Sequence, residues 1–535
     1  MSSLHPHAIA VARASLFWCV ASCRAPSTYP SAAVPAAASA AATVHQRFDQ
    51  SEASRLVPLL SEVLRFPTVA GNAAARDDQQ RWLRKIGQEL GLAAHPAGLV
   101  TEIELEGPRN GPDAPVLGLL VHGDVQPVET AKWTLPPFAG AQRDGYVVGR
   151  GAADDKGPLV QALLVMKALR DSAVVRTHTI RLLVGSDEES ENKDIKQYLA
   201  THRPPDYSLV LDSGFPVVVG EKAWNLLALT TPLDERAGGK AFPYRVVDLE
   251  GGLTPSIVPD QARLALQWRT GKPDWAALAQ RLRVHKMPDG THLEIEERGS
   301  ELTVIARGRS AHGGVNLEGG RNALVALAGV MEHELPEGGA NDLLVAARVA
   351  GQDLYGTGFG LVQSEPLWGR YAVNVATLKP APAAEGARAA PNGDRVLSIN
   401  LRRTPPLTGP QLRTKLEAWV KDFNARTGAH LAAGGFYDDE PLVFDPQAKI
   451  VRRLMAAYAR ATGTNPPPAI SGGGTYAKRM PSSIAFGMWF PDTPYPGHDV
   501  DEKVRIADLQ RGAHVLIEAL VDIAAGPPLR EPFKP

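Results

Sequence analysis

Cysteine is nearly absent from this 535-residue chain, and the two it has, Cys19 and Cys23, lie close to the N-terminus. No disulfide framework and no zinc–thiolate site can therefore form in the folded body. Any metal there must be held by imidazole and carboxylate. Long apolar runs are lacking as well: no segment beyond the N-terminal region approaches the roughly 18 consecutive apolar residues that span a bilayer. An excess of one charge is also missing, with 57 Lys and Arg against 58 Asp and Glu and a formal net charge of −1. Without a basic run interleaved with aromatics, nucleic acid is not expected as a partner. The same balance argues against bulk electrostatic binding to a membrane surface.

What is present is an ordinary globular composition, 44% hydrophobic and 21% charged. The length suggests more than one core, at roughly 100–200 residues per domain. The first 45 residues read as a targeting and linker segment, not as fold. Arg13 precedes an apolar stretch, Ala14 to Ala21, and an Ala/Pro/Ser-rich tract follows, ending near Val44. This pattern suggests export to the periplasm or beyond. VASC at Val20–Cys23 resembles a lipoprotein cleavage box with Cys23 as the lipidated residue, and a cytoplasmic protein with an unstructured tail is the alternative.

Beyond this segment the pattern is strand–helix–strand. Ser54 to Phe66 and Asp77 to Leu92 have apolar residues at helical spacing. Ala114–Val121, Thr179–Val184 and Tyr207–Leu211 are short continuous apolar runs, as strands buried on both faces would be. Pro158 to Leu169 reads as a helix between the first two. An open α/β sheet follows, mixed but mostly parallel, with its ligand site at the carboxyl ends of the strands. From about Trp224 the texture changes. Glu301–Gly308 and Arg395–Arg403 read as strands, Asn322–Glu334 and Gly409–Thr427 as helices, and Ala381–Gly393 as a loop. Residues 225–440 are thus expected to form an inserted α+β domain. The catalytic domain would comprise 46–224 and 441–535, closed by helices at Gln447–Thr462 and Ile506–Ala525. No internal repeat is found.

Every polar motif falls at a strand end. HGD at His122–Asp124 puts an imidazole and a carboxylate two residues apart, so one can orient the other; alone, such a pair is usually a local hydrogen bond. GRGAADDKG, Gly149–Gly157, carries Asp154 and Asp155 ahead of a helix, where capping is the simpler explanation. Chemistry alone does not separate the two acids. SDEES sets three carboxylates in a row, which raise one another's pKa unless a cation intervenes. Asp212 closes the third strand, and PGHDVDE supplies a distant imidazole, His498. Together these residues fit nitrogen- and oxygen-ligated zinc. Two ions about 3.5–4 Å apart, sharing a carboxylate, would suit hydrolysis of a carbonyl compound.

HGDVQP, GRGAADDKGP, DEES, LDSGFPVVVGEKAW, SGGGTYAK and PGHDVDE, in this order, resemble the metallopeptidase family of acetylornithine deacetylase, succinyl-diaminopimelate desuccinylase, carboxypeptidase G and the dipeptidases. FPVVVGEKAW, SGGGTYAK and AFGMWFP point within it to bacterial dipeptidase V, and DVQP to carnosinase-type dipeptidases. The resemblance spans about Leu56 to Ala524. It implies a dizinc hydrolase of dipeptides, with manganese or cobalt able to replace zinc. His122 and Asp212 would ligate one metal, with Asp124 orienting the His122 ring. Glu189 and His498 would ligate the other, with Asp154 bridging and Glu188 acting as general base toward the attacking water. The inserted domain would be a lid carrying His312 to the oxyanion. Arg402, Asn400, Gly473, Gly474 and Thr475 would receive the substrate carboxylate.

The cradle ends in Lys478 where these dipeptidases commonly have Arg, a point charge in place of a planar fork. Val128–Phe138 and Leu229–Phe242 match nothing in the family pattern and are candidate specificity segments. A deacylase of N-acyl amino acids on the same centre is the first alternative, and a non-catalytic binding module the second. No ligand or base is missing, which disfavours the module. GGGTY is not a nucleophile elbow. Monomer and homodimer both remain open.

Overall fold

The computed structural model describes residues 35–107, 115–238, 241–382 and 393–526. The chain opens with helix α1 (Pro35–Arg47), a short π-helical turn, α2 (Leu56–Val63) and α3 (Ala73–Glu89). Next come β1 (Ala93–Ala97), β2 (Val100–Leu105), β3 (Val116–His122), α4 (Lys156–Asp171), β4 (Thr179–Gly185), α5 (Lys193–Thr201) and β5 (Tyr207–Val210). A second group of strands follows: β6 (Ala223–Pro232), β7 (Tyr244–Gly251), β8 (Gln261–Trp268), β9 (His292–Arg298), β10 (Glu301–Arg307), β11 (Ala372–Pro380), β12 (Asp394–Arg403) and β13 (Ala432–Asp439). Helices α6 (Ala276–Val284), α7 (Ala323–Met331), α8 (Gly339–Ala350) and α9 (Gly409–Thr427) lie among them, and α10 (Lys449–Thr462), β14 (Ser483–Ala485) and α11 (Ile506–Ala524) close the chain.

The first sheet is six-stranded in the order β1-β2-β4-β3-β5-β14. Its four central and last strands run parallel, while β1 and β2 add antiparallel pairs. This is the mixed, mostly parallel sheet that the apolar runs imply. The reason for those runs is visible in the packing. On β3, Leu117, Leu119 and Val121 enter the core with α2, α4, α10 and α11. Leu120 points to the other face, where Ile195 and Tyr198 of α5 cover it. With both faces dry, β3 carries no polar side chain until it ends in His122.

Residues 223–439 build an eight-stranded antiparallel sheet, order β9-β10-β8-β7-β11-β12-β6-β13. It has its own apolar core with α6 to α9, formed between Leu227 and Leu431. Helix α9 is set locally: Thr408 and Gln411 form a capping box, Pro410 sits in the first turn, and Gly428 ends it at φ +69°. The fold class expected from the sequence, an α/β catalytic unit with an inserted α+β unit, is the one observed.

One sequence expectation needs correction. The first 45 residues do not all lie outside the fold, because α1 begins at Pro35. Ala41, Val44 and Phe48 follow helical spacing, are 3%, 0% and 0% exposed, and join the main core. His45 Nε2 meets Glu518 of α11 at 3.0 Å. Alanine is the strongest helix former, and its tract serves here as helix, with each of Val44 and Phe48 contributing roughly 1.5–3 kcal/mol by burial. The expected signal and lipoprotein motifs fall before residue 35, and most of the Ala381–Gly393 loop at 383–392; both lie outside the described residues. No helix among the described residues is long and apolar enough to cross a membrane.

Candidate active site

Three parallel strands end side by side and deliver the acidic motifs to one place. β3 ends in His122, β4 leads into the turn carrying Glu188 and Glu189, and β5 is followed by Asp212. His122 Nε2 lies 2.9 Å from Asp154 Oδ1 and 3.8 Å from Asp212 Oδ2. His498 Nε2 lies 3.2 Å from Asp154 Oδ2 and 3.1 Å from Glu189 Oε1. Asp154 therefore turns one oxygen to each imidazole. That separates it from Asp155, whose Oδ2 accepts the backbone N–H of His122 at 3.1 Å and which does not line the cavity. Asp155 does approach His122 and Asp212 closely enough to be grouped with them, as Asp154 and Glu189 are grouped with His122, each set within 4.8 Å. Only Asp154 reaches both rings.

The charge balance of this cluster fits divalent cations. Burial opposes charge on His498, yet Glu189 and Asp154 outweigh it and hold the ring up at about 10. Burial likewise opposes charge on His122, and Asp124, Asp154 and Asp212 lift it well above its ordinary value. Burial, with neighbouring carboxylates, holds Asp212 and Glu188 well above the usual carboxylate range. Acids that resist ionising and imidazoles that resist losing charge together describe a place short of positive charge. The donors are the imidazole nitrogens and carboxylate oxygens that zinc accepts.

Asp124 works differently from expectation. His122 Nδ1 meets the backbone carbonyl of Asp124 at 3.0 Å, while its carboxylate is 3.6 Å away. That carboxylate instead accepts the backbone N–H groups of Glu188 at 3.2 Å and Glu189 at 3.0 Å. It orients the Glu188–Glu189 turn as much as the ring.

A cavity of about 560 Å³ opens from this cluster toward the eight-stranded sheet. His312 enters it from that side, 7% exposed, its ring centroid 4.5 Å from that of His498. The approach is possible because glycines meet backbone to backbone: a Cβ on Gly314 would stand 2.4 Å from the Gly472 carbonyl oxygen. His312 Nδ1 accepts the N–H groups of Gly314 at 3.0 Å and Val315 at 2.8 Å. Burial, then the nearby cations His498 and Arg402, keep the ring well below its ordinary pKa. With Nδ1 accepting two N–H groups, the ring proton lies on Nε2, which is left as a donor.

Arg402 also lines the cavity and is 2% exposed. Its Nε donates to Asn400 Oδ1 at 2.9 Å, and Asn400 Nδ2 donates to the Asn225 carbonyl at 2.9 Å. Asn400 is fully buried behind Arg402, so it positions the guanidinium and does not itself face the cavity. Gly473, Gly474 and Thr475 line the cavity. The Thr475 hydroxyl is already committed to Glu221 at 2.7 Å. Lys478 Nζ is held by the Lys222 carbonyl at 2.7 Å and by Asp439 at 3.3 Å.

Three further residues, to which the sequence motifs assign no role, join the site. Tyr495 donates its hydroxyl to Asp154 Oδ2, and Gln126 donates to Glu189 Oε2 at 2.8 Å. Glu502 accepts the backbone N–H groups of Gly151, Ala153 and Asp154 and pairs with buried Arg150 at 2.8 Å. Gln126 and Glu502 stand inside quoted motifs, DVQP and PGHDVDE, and could have been weighed there. Tyr495 is three residues before His498 with nothing to mark it.

With this geometry in hand, comparison with known proteins is specific. The chain belongs to peptidase family M20/M25/M40, whose sequence profile matches residues 118–522. It is 26% identical over 411 residues to "Putative dipeptidase YtjP" of Bacillus subtilis (strain 168), covering 76% of this chain and 83% of the relative. It is 24% identical over 411 residues to the Beta-Ala-Xaa dipeptidase of Lactobacillus delbrueckii subsp. lactis, covering 76% and 82%. In fold it is similar to human carnosine dipeptidase 1, with TM-score 0.55 at 13% identity, covering 90% of this chain and 98% of that one.

Proposed function

We propose that the protein is a dinuclear metallopeptidase that hydrolyses the peptide bond of dipeptides. The observation that carries this reading is the position of Asp154, one carboxylate oxygen toward each of two buried imidazoles, in a cavity that buried Arg402 also lines. His122, Asp154 and Asp212 would hold one ion, and His498, Asp154 and Glu189 the other. Zinc suits these donors best, with manganese and cobalt also compatible. Such ions polarise a carbonyl and lower the pKa of water.

The chain's own residues supply the rest. The Glu188 carboxylate takes the proton of the attacking water and passes it to the departing nitrogen. Neutral His312 donates from Nε2 to the carbonyl oxygen as it gains charge. Arg402, fixed through Asn400, offers its remaining guanidinium N–H groups to the carboxylate at the substrate's C-terminus. A substrate gripped between Arg402 and the metal cluster, within one cavity, must be short. The relatives named as dipeptidases support the same substrate class. Residues 225–440 serve as the lid, since they carry both His312 and Arg402.

The deciding experiment measures bound metal together with turnover of dipeptides and of N-acetyl amino acids, before and after chelation. About two ions per chain, with dipeptide hydrolysis lost on chelation and restored by zinc or manganese, supports the reading. Turnover of acylated amino acids alone transfers the centre to deacylation. Full activity in metal-free protein refutes the proposal.

A further inference from the structure

The register of the lid sheet places five cavity-lining side chains on one face. Across β12, β6 and β13, Arg402 opposes Trp224 and Trp224 opposes Asp439. One step along the same face, Asn400 opposes Leu226 and Leu226 opposes Tyr437. Opposed residues of an antiparallel sheet share a face, as do residues two apart on one strand. Arg402, Trp224, Leu226, Tyr437 and Asp439 therefore form one continuous floor, and all five line the cavity.

Most of that floor is apolar and open. Tyr437 is 52% exposed, and Trp224 and Leu226 are half-buried. The Trp224 and Tyr437 rings stand edge to face, centroids 5.5 Å apart at 75°. The indole N–H of Trp224 is satisfied by Ser256 Oγ at 3.3 Å. Asp439 adds no free charge, because Arg479 holds its Oδ1 at 2.6 Å and Lys478 its Oδ2 at 3.3 Å. Exposed aromatic surface inside a cavity, beside a buried cation, is the usual make-up of a ligand subsite.

We propose that Trp224, Leu226 and Tyr437 receive the side chain of the substrate's C-terminal residue and select dipeptides ending in an aromatic or large aliphatic residue. The inference rests on the dipeptidase reading and on Arg402 holding the substrate carboxylate. Carboxylate and side chain leave the same α-carbon. A carboxylate on Arg402 therefore keeps the side chain within reach of the residue opposed to Arg402, which is Trp224, with Leu226 and Tyr437 next along the face. A basic side chain finds no unpaired carboxylate on this floor.

The test compares kcat/KM for Ala-Phe, Ala-Leu, Ala-Ala, Ala-Lys and the reversed Phe-Ala, using the metal-loaded full chain. In the wild type, Ala-Phe exceeds Ala-Ala by about tenfold or more, the scale set by burying an aromatic side chain. Trp224→Ala and Tyr437→Ala each shrink that ratio, chiefly through KM for Ala-Phe, and Trp224→Phe restores most of it. Tyr437→Ala is at an exposed position and carries the test if Trp224→Ala does not fold. Equal rates for Ala-Phe and Ala-Ala, an equal gain for Phe-Ala, or a ratio that neither alanine variant changes overturns the inference and leaves the dipeptidase reading standing. Turnover of none of these peptides overturns both.

Discussion

Glu502 and Asp154 stand 348 residues apart in the chain, yet the Glu502 carboxylate accepts the Asp154 backbone N–H at 3.1 Å. The same carboxylate accepts from the backbone N–H groups of Gly151 and Ala153 and pairs with Arg150, and the Glu502 and Arg150 side chains are both buried. It fixes the turn that aims Asp154 at both imidazoles. Glu502→Ala leaves Arg150 as an unpaired buried charge, at a cost of about 3–5 kcal/mol. Bound metal should fall as well, by about 10–100-fold in affinity. Denaturant unfolding and metal titration check the two effects.

Glu188→Gln should retain metal and fold while turnover falls by about 10²–10⁴-fold. Its side chain lines the cavity, whereas its backbone N–H, held by Asp124, survives the substitution. Near-normal turnover with bound metal would remove Glu188 as the base.

His312→Ala should lower kcat by about 10²–10³-fold, the scale of a lost oxyanion donor, with metal content unchanged. The ring comes from the same chain as the cluster it faces. Activity per chain should therefore not change on dilution, which an assay across protein concentration reads directly. Loss of metal in this variant would place His312 among the ligands instead.

Arg402→Ala should raise KM for dipeptides by about 100-fold, in keeping with a lost charge-assisted pair. C-terminally amidated dipeptides, which have no carboxylate to offer, should be much less affected. Asn400→Ala should show the same pattern more weakly, since Asn400 acts only through Arg402. An equal loss on both substrate types would move Arg402 away from the carboxylate.

Phe48→Ala should cost about 3–5 kcal/mol of stability, because the ring is fully buried between α1 and the main core. The clasp at this end also has a pH signature. Burial opposes charge on Glu518, but His45 and Arg460 prevail and hold its carboxyl below the usual range. A lowered folded pKa gives stability that is present above the unfolded value of about 4.3 and lost as pH falls below it toward the folded value. Glu518→Gln should flatten that acid limb in thermal melts.

Much of this site is legible in the sequence because chemistry gathers where buried strands end. His122, Glu188, Glu189 and Asp212 each stand at or just past the end of a largely apolar strand, so their placement follows from the runs themselves. Residues that act across the fold are not legible that way. Tyr495 and Glu502 matter through partners more than 340 positions away, and no local pattern reports such contacts. Asn400 shares a strand face with Arg402, but only the three-dimensional packing shows that it stands behind the guanidinium. The α1 segment is not legible as part of the fold because an alanine-rich tract suits both a linker and a helix; burial of Val44 shows that it packs on the core.

The catalytic core is drawn from both sides of the lid, and α10, β14 and α11 all come after residue 440. During synthesis the lid, whose core comes from one continuous stretch, can collapse as soon as it clears the ribosome. The earlier half cannot. Its β5 edge lacks β14, and the face that α11 will cover stays wet until the last hundred residues arrive. For that interval the nascent chain presents an open strand edge and a broad apolar surface, the features that chaperones bind and that aggregation exploits. A chain stalled just past the lid would be a finished lid tethered to an unfinished enzyme.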